Sequence, residues 1–241
     1  MHLDAAIPAQ AAPDWRAIRT QPIEESGEPL VPASLAPERI LVHPRYFIEG
    51  LPGAVPECFV RTGVWERLLD AADALPDGYR LVLFDAWRPA NLQRWLFEHC
   101  TQEFRAQYAD AEVAAAHAEA FVARPLQSHS SPPFHLTGGA VDLSVADGRG
   151  RLLDMGTAFD ATVPASHTRH FETGAGESGA AREPREHRRI LYHAMTRAGF
   201  VNLATEWWHF DYGDQLWAWY MGAAHARYSA ARPPFRWASG E

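Results

Sequence analysis

Three short stretches of the chain carry residue types that hold metals or move protons. They are His135 and Asp142 in FHLTGGAVDLSV, Glu206 and His209 in EWWH, and Asp85 and Arg88 in FDAWRP. Imidazole nitrogen and carboxylate oxygen are the donors of catalytic zinc sites, whose bonds are about 2 Å long. Regular structure cannot bring both His135 and Asp142 to such a centre. Seven residues of strand span about 23 Å and leave the two side chains on opposite faces, and seven of helix rise about 10 Å. The chain must therefore fold back between them, and Gly138 and Gly139 permit this through positive φ. Strand alternation then sets Ala140, Asp142 and Ser144 on one face and Val141, Leu143 and Val145 on the other, so Asp142 faces a cleft. The plainer alternative is a Gly-Gly turn followed by a surface carboxylate.

In EWWH, two adjacent tryptophans are bracketed by Glu206 and His209. A purely structural core strand would favour apolar ends, and a buried Glu without a partner is costly. The arrangement suits a hydrolytic metal centre with His209 as third ligand and Glu206 acting on water at the metal. Two His and one carboxylate also suit non-haem iron, but that chemistry gives a free Glu beside the third ligand no task. The structural alternative is an aromatic core strand with an edge ion pair. Arg88 stands at a strand-to-helix junction, where it could steady the oxyanion of a tetrahedral intermediate or simply pair with Asp85. Of the 12 histidines, His2, His99, His117, His187, His193 and His225 read as surface or core residues. His129, His167 and His170 lie in loops and read as solvated, with a second metal site as the alternative.

The elements that must position these groups follow from apolar spacing and punctuation. Residues 1–40, rich in Ala, Pro and Glu, read as an irregular arm, with a short strand at Arg39–Val42. A helix is expected over 64–74 and a buried strand over YRLVLFDAW. One or two helices follow over 90–123, then a loop over 125–139 and a hairpin over 140–153. After a polar loop over 161–182, residues 184–198 read as an amphipathic helix ended by Gly199, with FVNL and EWWHFDY as strands. No linker or repeat divides the chain, so one α+β domain is expected, with residues 41–241 as its body.

The 241 residues are 47% hydrophobic and 22% charged, an ordinary globular composition. With 22 Lys and Arg against 30 Asp and Glu, the net charge of −8 disfavours nucleic acid and anionic membranes as partners. No run of 18 uncharged apolar residues is present, so no spanning helix is expected. The N-terminus lacks the pattern of a secretory signal. The two cysteines, Cys58 and Cys100, do not make a disulfide framework, and the expected setting is the cytoplasm.

The order DAWRP, HLTGGAVD, DMGTAFD and EWWH resembles the zinc D-alanyl-D-alanine dipeptidases, within the wider D,D-carboxypeptidase and hedgehog-like zinc fold. The resemblance runs from about Tyr46 to Tyr212. It implies an antiparallel sheet with flanking helices around a zinc cleft. It also implies one Zn2+ on His135, Asp142 and His209, with Glu206 as general base and Arg88 as transition-state stabiliser. Asp160 resembles the group that receives the substrate's ammonium, and Tyr46 corresponds to a tyrosine near the substrate. Pro133 replaces a serine usual two residues before the first metal histidine, so a hydroxyl contact to the substrate carboxylate is either missing or supplied by Ser130 or Ser131. Trp87 stands where tyrosine is common. The implied activity is hydrolysis of D-Ala-D-Ala or related dipeptides. The rival readings are a D,D- or L,D-carboxypeptidase of the same fold acting on cell-wall peptides, and a non-catalytic zinc-binding recognition module.

Overall fold

The computed structural model describes residues 4–119, 122–125, 130–173 and 179–234. Its centre is a pair of apolar strands, β4 (Arg80–Asp85) and β5 (Ala140–Ala146), with every residue of β5 buried. Such strands need partners on both edges. β2 (Ile40–Val42), β6 (Val201–Asn202) and β7 (His209–Asp211) supply them in the order β2-β4-β5-β7-β6. A smaller sheet joins β1 (Leu30–Pro32) to β3 (Phe59–Arg61). Leu81, Leu83, Val141, Leu143, Val145 and Phe210 are fully buried in the large sheet, each such side chain contributing about 1.5–3 kcal/mol by leaving water.

Eight α-helices are described. α3 (Thr62–Asp73) and α7 (Arg182–Arg197) pack on the sheet through Val64, Leu68 and Ala71 and through Leu191, Ala194 and Met195. α4 (Ala90–Arg105) and α5 (Ala111–Ala118) form a helical pair. The Asp110 side chain caps α5, accepting from the backbone N–H groups of Glu112 and Val113. α1 (Trp15–Thr20) packs on α8 (Gln215–Met221). α2 (Arg45–Ile48) and α6 (Phe134–Thr137) are single turns beside the sheet.

The architecture is the expected α+β domain, with several local differences. The sheet is mixed, because β2 runs parallel to β4 while the other pairings are antiparallel. The first forty residues contain α1 and β1. Their Glu25 carboxylate accepts from Arg61 Nη1 at 2.9 Å and Ser229 N at 2.7 Å, fastening the arm to the body. The hairpin expected over 140–153 reduces to one bridge, Ala146 to Leu152, because the chain turns polar after Asp147. In EWWHFDY only His209–Asp211 is strand, since the Glu206 N–H turns back to the Leu203 carbonyl at 2.9 Å. The region 125–139, expected as loop, holds α6, which closes on Gly138. No described helix is long and apolar enough to cross a membrane.

Candidate active site

His135 sits on α6, and α6 passes into β5 within two residues. Gly138 makes the reversal at φ +74, and a Cβ there would lie 2.3 Å from Leu30 Cδ2. Gly139 serves differently from the expectation. Its φ is not in the left-handed region, but a Cβ would lie 2.6 Å from the Tyr212 carbonyl oxygen, so only glycine allows the approach. The other site groups come from pairing register: Asp85 on β4 lies opposite Asp142 on β5, and Asp142 lies opposite His209 on β7. A register shift between Leu83 and Asp85 re-aims the end of β4. Three groups far apart in sequence thus become neighbours along one line across the sheet.

Asp142 is the hub. Its Oδ2 lies 3.3 Å from His135 Nε2 and its Oδ1 lies 2.9 Å from His209 Nδ1. One ligand atom from each of the three side chains falls within 4.8 Å of the others, and all three residues are buried. Each imidazole is oriented from behind. The Ala86 carbonyl oxygen lies 2.7 Å from His135 Nδ1, and Asp211 Oδ1 lies 3.1 Å from His209 Nε2. These acceptors turn the opposite nitrogens, Nε2 of His135 and Nδ1 of His209, toward the common centre. Burial opposes the charge on Asp142, but the two imidazoles hold its carboxyl well below the usual carboxylate range. Burial likewise opposes a charged His209, while Asp211 and Asp142 raise it well above an ordinary histidine.

Arg88 follows β4 and is buried. The Asp85 pairing holds, its Nε donating to Asp85 Oδ2 at 2.7 Å, and Nη2 donates to Asp142 Oδ2 at 3.3 Å. Its Nη1 donates to Gln93 Oε1 at 3.0 Å, and the guanidinium lies over the Tyr46 ring at 5.3 Å. Against the cost of burial, Asp85 and Asp142 keep it protonated.

Glu206 stands 3.9 Å from His209 Nδ1 through Oε2, with its side chain 17% exposed. Burial pushes its carboxyl up to about 8. Trp207 and Trp208 meet edge to face at 5.3 Å. Trp208 packs on Phe159, while the Trp207 indole donates to Thr157 Oγ1 at 2.8 Å.

Asp160 belongs to an exposed loop and adopts φ +64, yet its carboxylate points inward, accepting from the Tyr46 hydroxyl at 2.7 Å. Burial of the carboxyl and the charge of Asp142 raise it to about 6, against the pull of the Tyr46 hydrogen bond. Ser131 is half-buried four residues before His135, and no hydrogen bond of its hydroxyl to a described residue joins it to the cluster. Trp87 turns away, its indole donating to the Ala231 carbonyl at 2.8 Å.

His135, Asp142, His209, Glu206, Arg88, Asp160 and Tyr46 therefore gather in one region, and Ser131 stays at its edge. Among the described residues no second group of this kind forms around His167 or His170, and His129 lies outside them. A separate cavity of about 520 Å3, lined by Glu66, Arg67, Asp70, Ala74, Arg197 and Ala198, contains none of these donors. Sequence reasoning missed Asp211 and the Ala86 carbonyl. The first was legible as the i, i+2 partner of His209 on a strand, where alternate residues share a face. The second is a backbone atom and leaves no residue-type signal.

The chain is similar to known proteins over most of its length. Residues 55–230 match a family described as D-ala-D-ala dipeptidase, a span holding every gathered residue except Tyr46. A D-alanyl-D-alanine dipeptidase of Synechocystis sp. is 32% identical over 221 residues, covering 85% of this chain and 90% of the relative. One of Escherichia coli is 31% identical over 135 residues, covering 56% of this chain and 55% of the relative. A solved structure described as VanYB in complex with D-Alanine-D-Alanine is 20% identical over 69% of this chain and 80% of that one, at a TM-score of 0.42, too low to speak for a common fold. With three quarters of its length matched and its clustered donors inside that span, this chain belongs to the D-Ala-D-Ala dipeptidase family.

Proposed function

We propose that this chain is a zinc dipeptidase that hydrolyses D-Ala-D-Ala or closely related dipeptides. The observation that carries the reading is the convergence of His135 Nε2, the Asp142 carboxylate and His209 Nδ1, with the far nitrogen of each imidazole held by an acceptor. Two imidazoles and one carboxylate are a zinc donor set that leaves a position open. Zinc held there would supply Lewis acidity, which makes water a usable nucleophile near neutral pH.

The chain's own groups do the rest. Glu206 takes the proton from the attacking water and gives it to the leaving amine nitrogen. A carboxyl raised to about 8 by burial can hold that proton between the two steps. Arg88 commits three of its five N–H donors to Asp85, Gln93 and Asp142. The others remain to meet negative charge growing on the scissile carbonyl oxygen. Asp160, steadied by Tyr46, takes the substrate's ammonium and so fixes how far the scissile bond lies from the free amine. That distance favours dipeptides over acyl-blocked carboxypeptidase substrates. Ser131 is assigned to the substrate's terminal carboxylate, and Trp207 and Trp208 keep bulk water from Glu206.

All assigned groups lie between Tyr46 and His209, so catalysis is placed in residues 41–241 with residues 1–40 as an arm over them. Cys58 and Cys100 are free thiols, the state a reducing compartment maintains, and the enzyme is placed in the cytoplasm. The test is a panel of D,D-, L,D- and L,L-dipeptides and N-acyl tripeptides, assayed with zinc and after chelation. Zinc-dependent release of D-alanine from D-Ala-D-Ala is expected. Activity confined to the N-acyl tripeptides would favour a carboxypeptidase, and no hydrolysis of any substrate would favour a recognition module.

A further inference from the structure

Arg188 is 2% exposed on α7; no carboxylate among the described residues forms an ion pair with it, and the charge of Asp154 acts on it only at longer range. A buried cation without a counter-ion is costly, so its surroundings must compensate. Three backbone carbonyls do so, each at 2.8 Å: Nε donates to Met155, Nη2 to Ala165 and Nη1 to His167. The guanidinium also lies over the ring of Phe171 at 4.6 Å and that of Trp207 at 5.9 Å. Burial pulls its pKa down to about 10, which leaves it charged at neutral pH.

The three carbonyls bracket Asp160, one before it and two after it. Trp207 is the neighbour of Glu206. The loop and the Glu206 turn are also cross-linked directly. Trp207 N donates to the Ser166 carbonyl at 3.0 Å, its indole to Thr157 Oγ1 at 2.8 Å, and Thr168 N to the Ala204 carbonyl at 3.0 Å. The loop carrying the ammonium receptor and the turn carrying the proton acceptor are therefore one body built around a single guanidinium.

We propose that Arg188 is a positioning residue that fixes the spacing between Asp160 and Glu206 and thereby couples ammonium binding to proton transfer. The inference rests on the dipeptidase reading above. Lysine at this position offers one nitrogen and cannot reach three divergent carbonyls, so the loop loses its fixed offset while the charge stays.

The test is a double-mutant cycle on dipeptide hydrolysis by the zinc-loaded enzyme, with melting temperature and zinc content measured alongside. Arg188→Lys is expected to lower kcat/KM at least tenfold when Asp160 is present and less than threefold in the Asp160→Asn background. A merely structural role gives the same loss in both backgrounds, and that result would overturn the proposal. Thr157→Val removes the acceptor of the Trp207 indole with little change of volume, and the same non-additivity is expected at about fivefold. Should Arg188→Lys not fold, the Thr157→Val cycle decides alone. Wild-type enzyme inactive on every dipeptide would instead refute the functional reading, whereas active wild type with additive losses refutes only the role of Arg188.

Discussion

Replacing Asp160 by Asn should weaken the enzyme and strengthen the fold, and the sign of both effects follows from one carboxyl group. An aspartate ordinarily titrates near 3.8, and here it is raised to about 6. The fold therefore disfavours the charged form. The penalty is absent below about pH 4, grows between 4 and 6, and is complete above 6. The full shift is worth at most about 3 kcal/mol, and the openness of the loop to water reduces it to on the order of 1 kcal/mol. Asn removes the charge, keeps an oxygen for the Tyr46 hydroxyl, and tolerates the φ of +64 at least as well as Asp. Melting temperature should rise by roughly 2–4 °C at pH 7.5 and not at pH 4. Removing one partner of a desolvated charge pair costs about 2–5 kcal/mol, so kcat/KM for a free dipeptide should fall from about 30-fold to several thousand-fold. In the wild type Glu206 sets an acid limb of kcat/KM near pH 8, and Asp160 adds a second near pH 6 that steepens the fall below it; the second limb is absent from the variant. Thermal melts at the two pH values and a pH–rate profile measure all of this. A variant less stable at pH 7.5, or one with unchanged kcat/KM, refutes the reasoning.

Other outcomes are equally definite. Glu206→Gln should keep its metal by elemental analysis while kcat falls by about 10²–10⁴, the usual contribution of a general base; near-normal turnover would remove Glu206 from the mechanism. Asp211→Asn leaves the three ligands intact but weakens the acceptor behind His209, so zinc affinity measured by chelator competition should drop about 10- to 100-fold. Gly138→Ala forces a Cβ to 2.3 Å from Leu30 Cδ2 at a φ of +74. It should cost about 2–4 kcal/mol in denaturant unfolding and reduce zinc content, because the turn that carries His135 must shift.

The grouping of His135, Asp142 and His209 was legible in the sequence because its geometry over-constrained it. Two donors seven residues apart demanded a reversal, and a glycine pair stood between them. The long elements were equally clear, since β4 and α7 carry strong apolar patterns. Short elements were not. α6 is a single turn of FHLT that no periodicity can announce, and its stability comes from what clasps it rather than from its own propensity. EWW reads as strand by composition, but tertiary hydrogen bonds to Ser166 and Thr157 override that preference. β2 shares three residues with β4 in parallel, a direction that local sequence does not encode.

The clasp around α6 also bears on how the protein is made. Arg61 Nε holds the Thr137 carbonyl at 2.8 Å while its Nη2 holds that of Ser229 at 2.9 Å. Ala231 N donates to the Leu136 carbonyl at 2.9 Å, and Ala226 N donates to the Pro22 carbonyl at 2.8 Å. The residues that steady the turn of His135 thus include Ser229 and Ala231, which follow all three donors in the chain. During synthesis Asp142 and His209 exist before that turn is secured, so the growing polypeptide has no finished grip on a cation. The grip closes only once the stretch around Ser229 and Ala231 has been made.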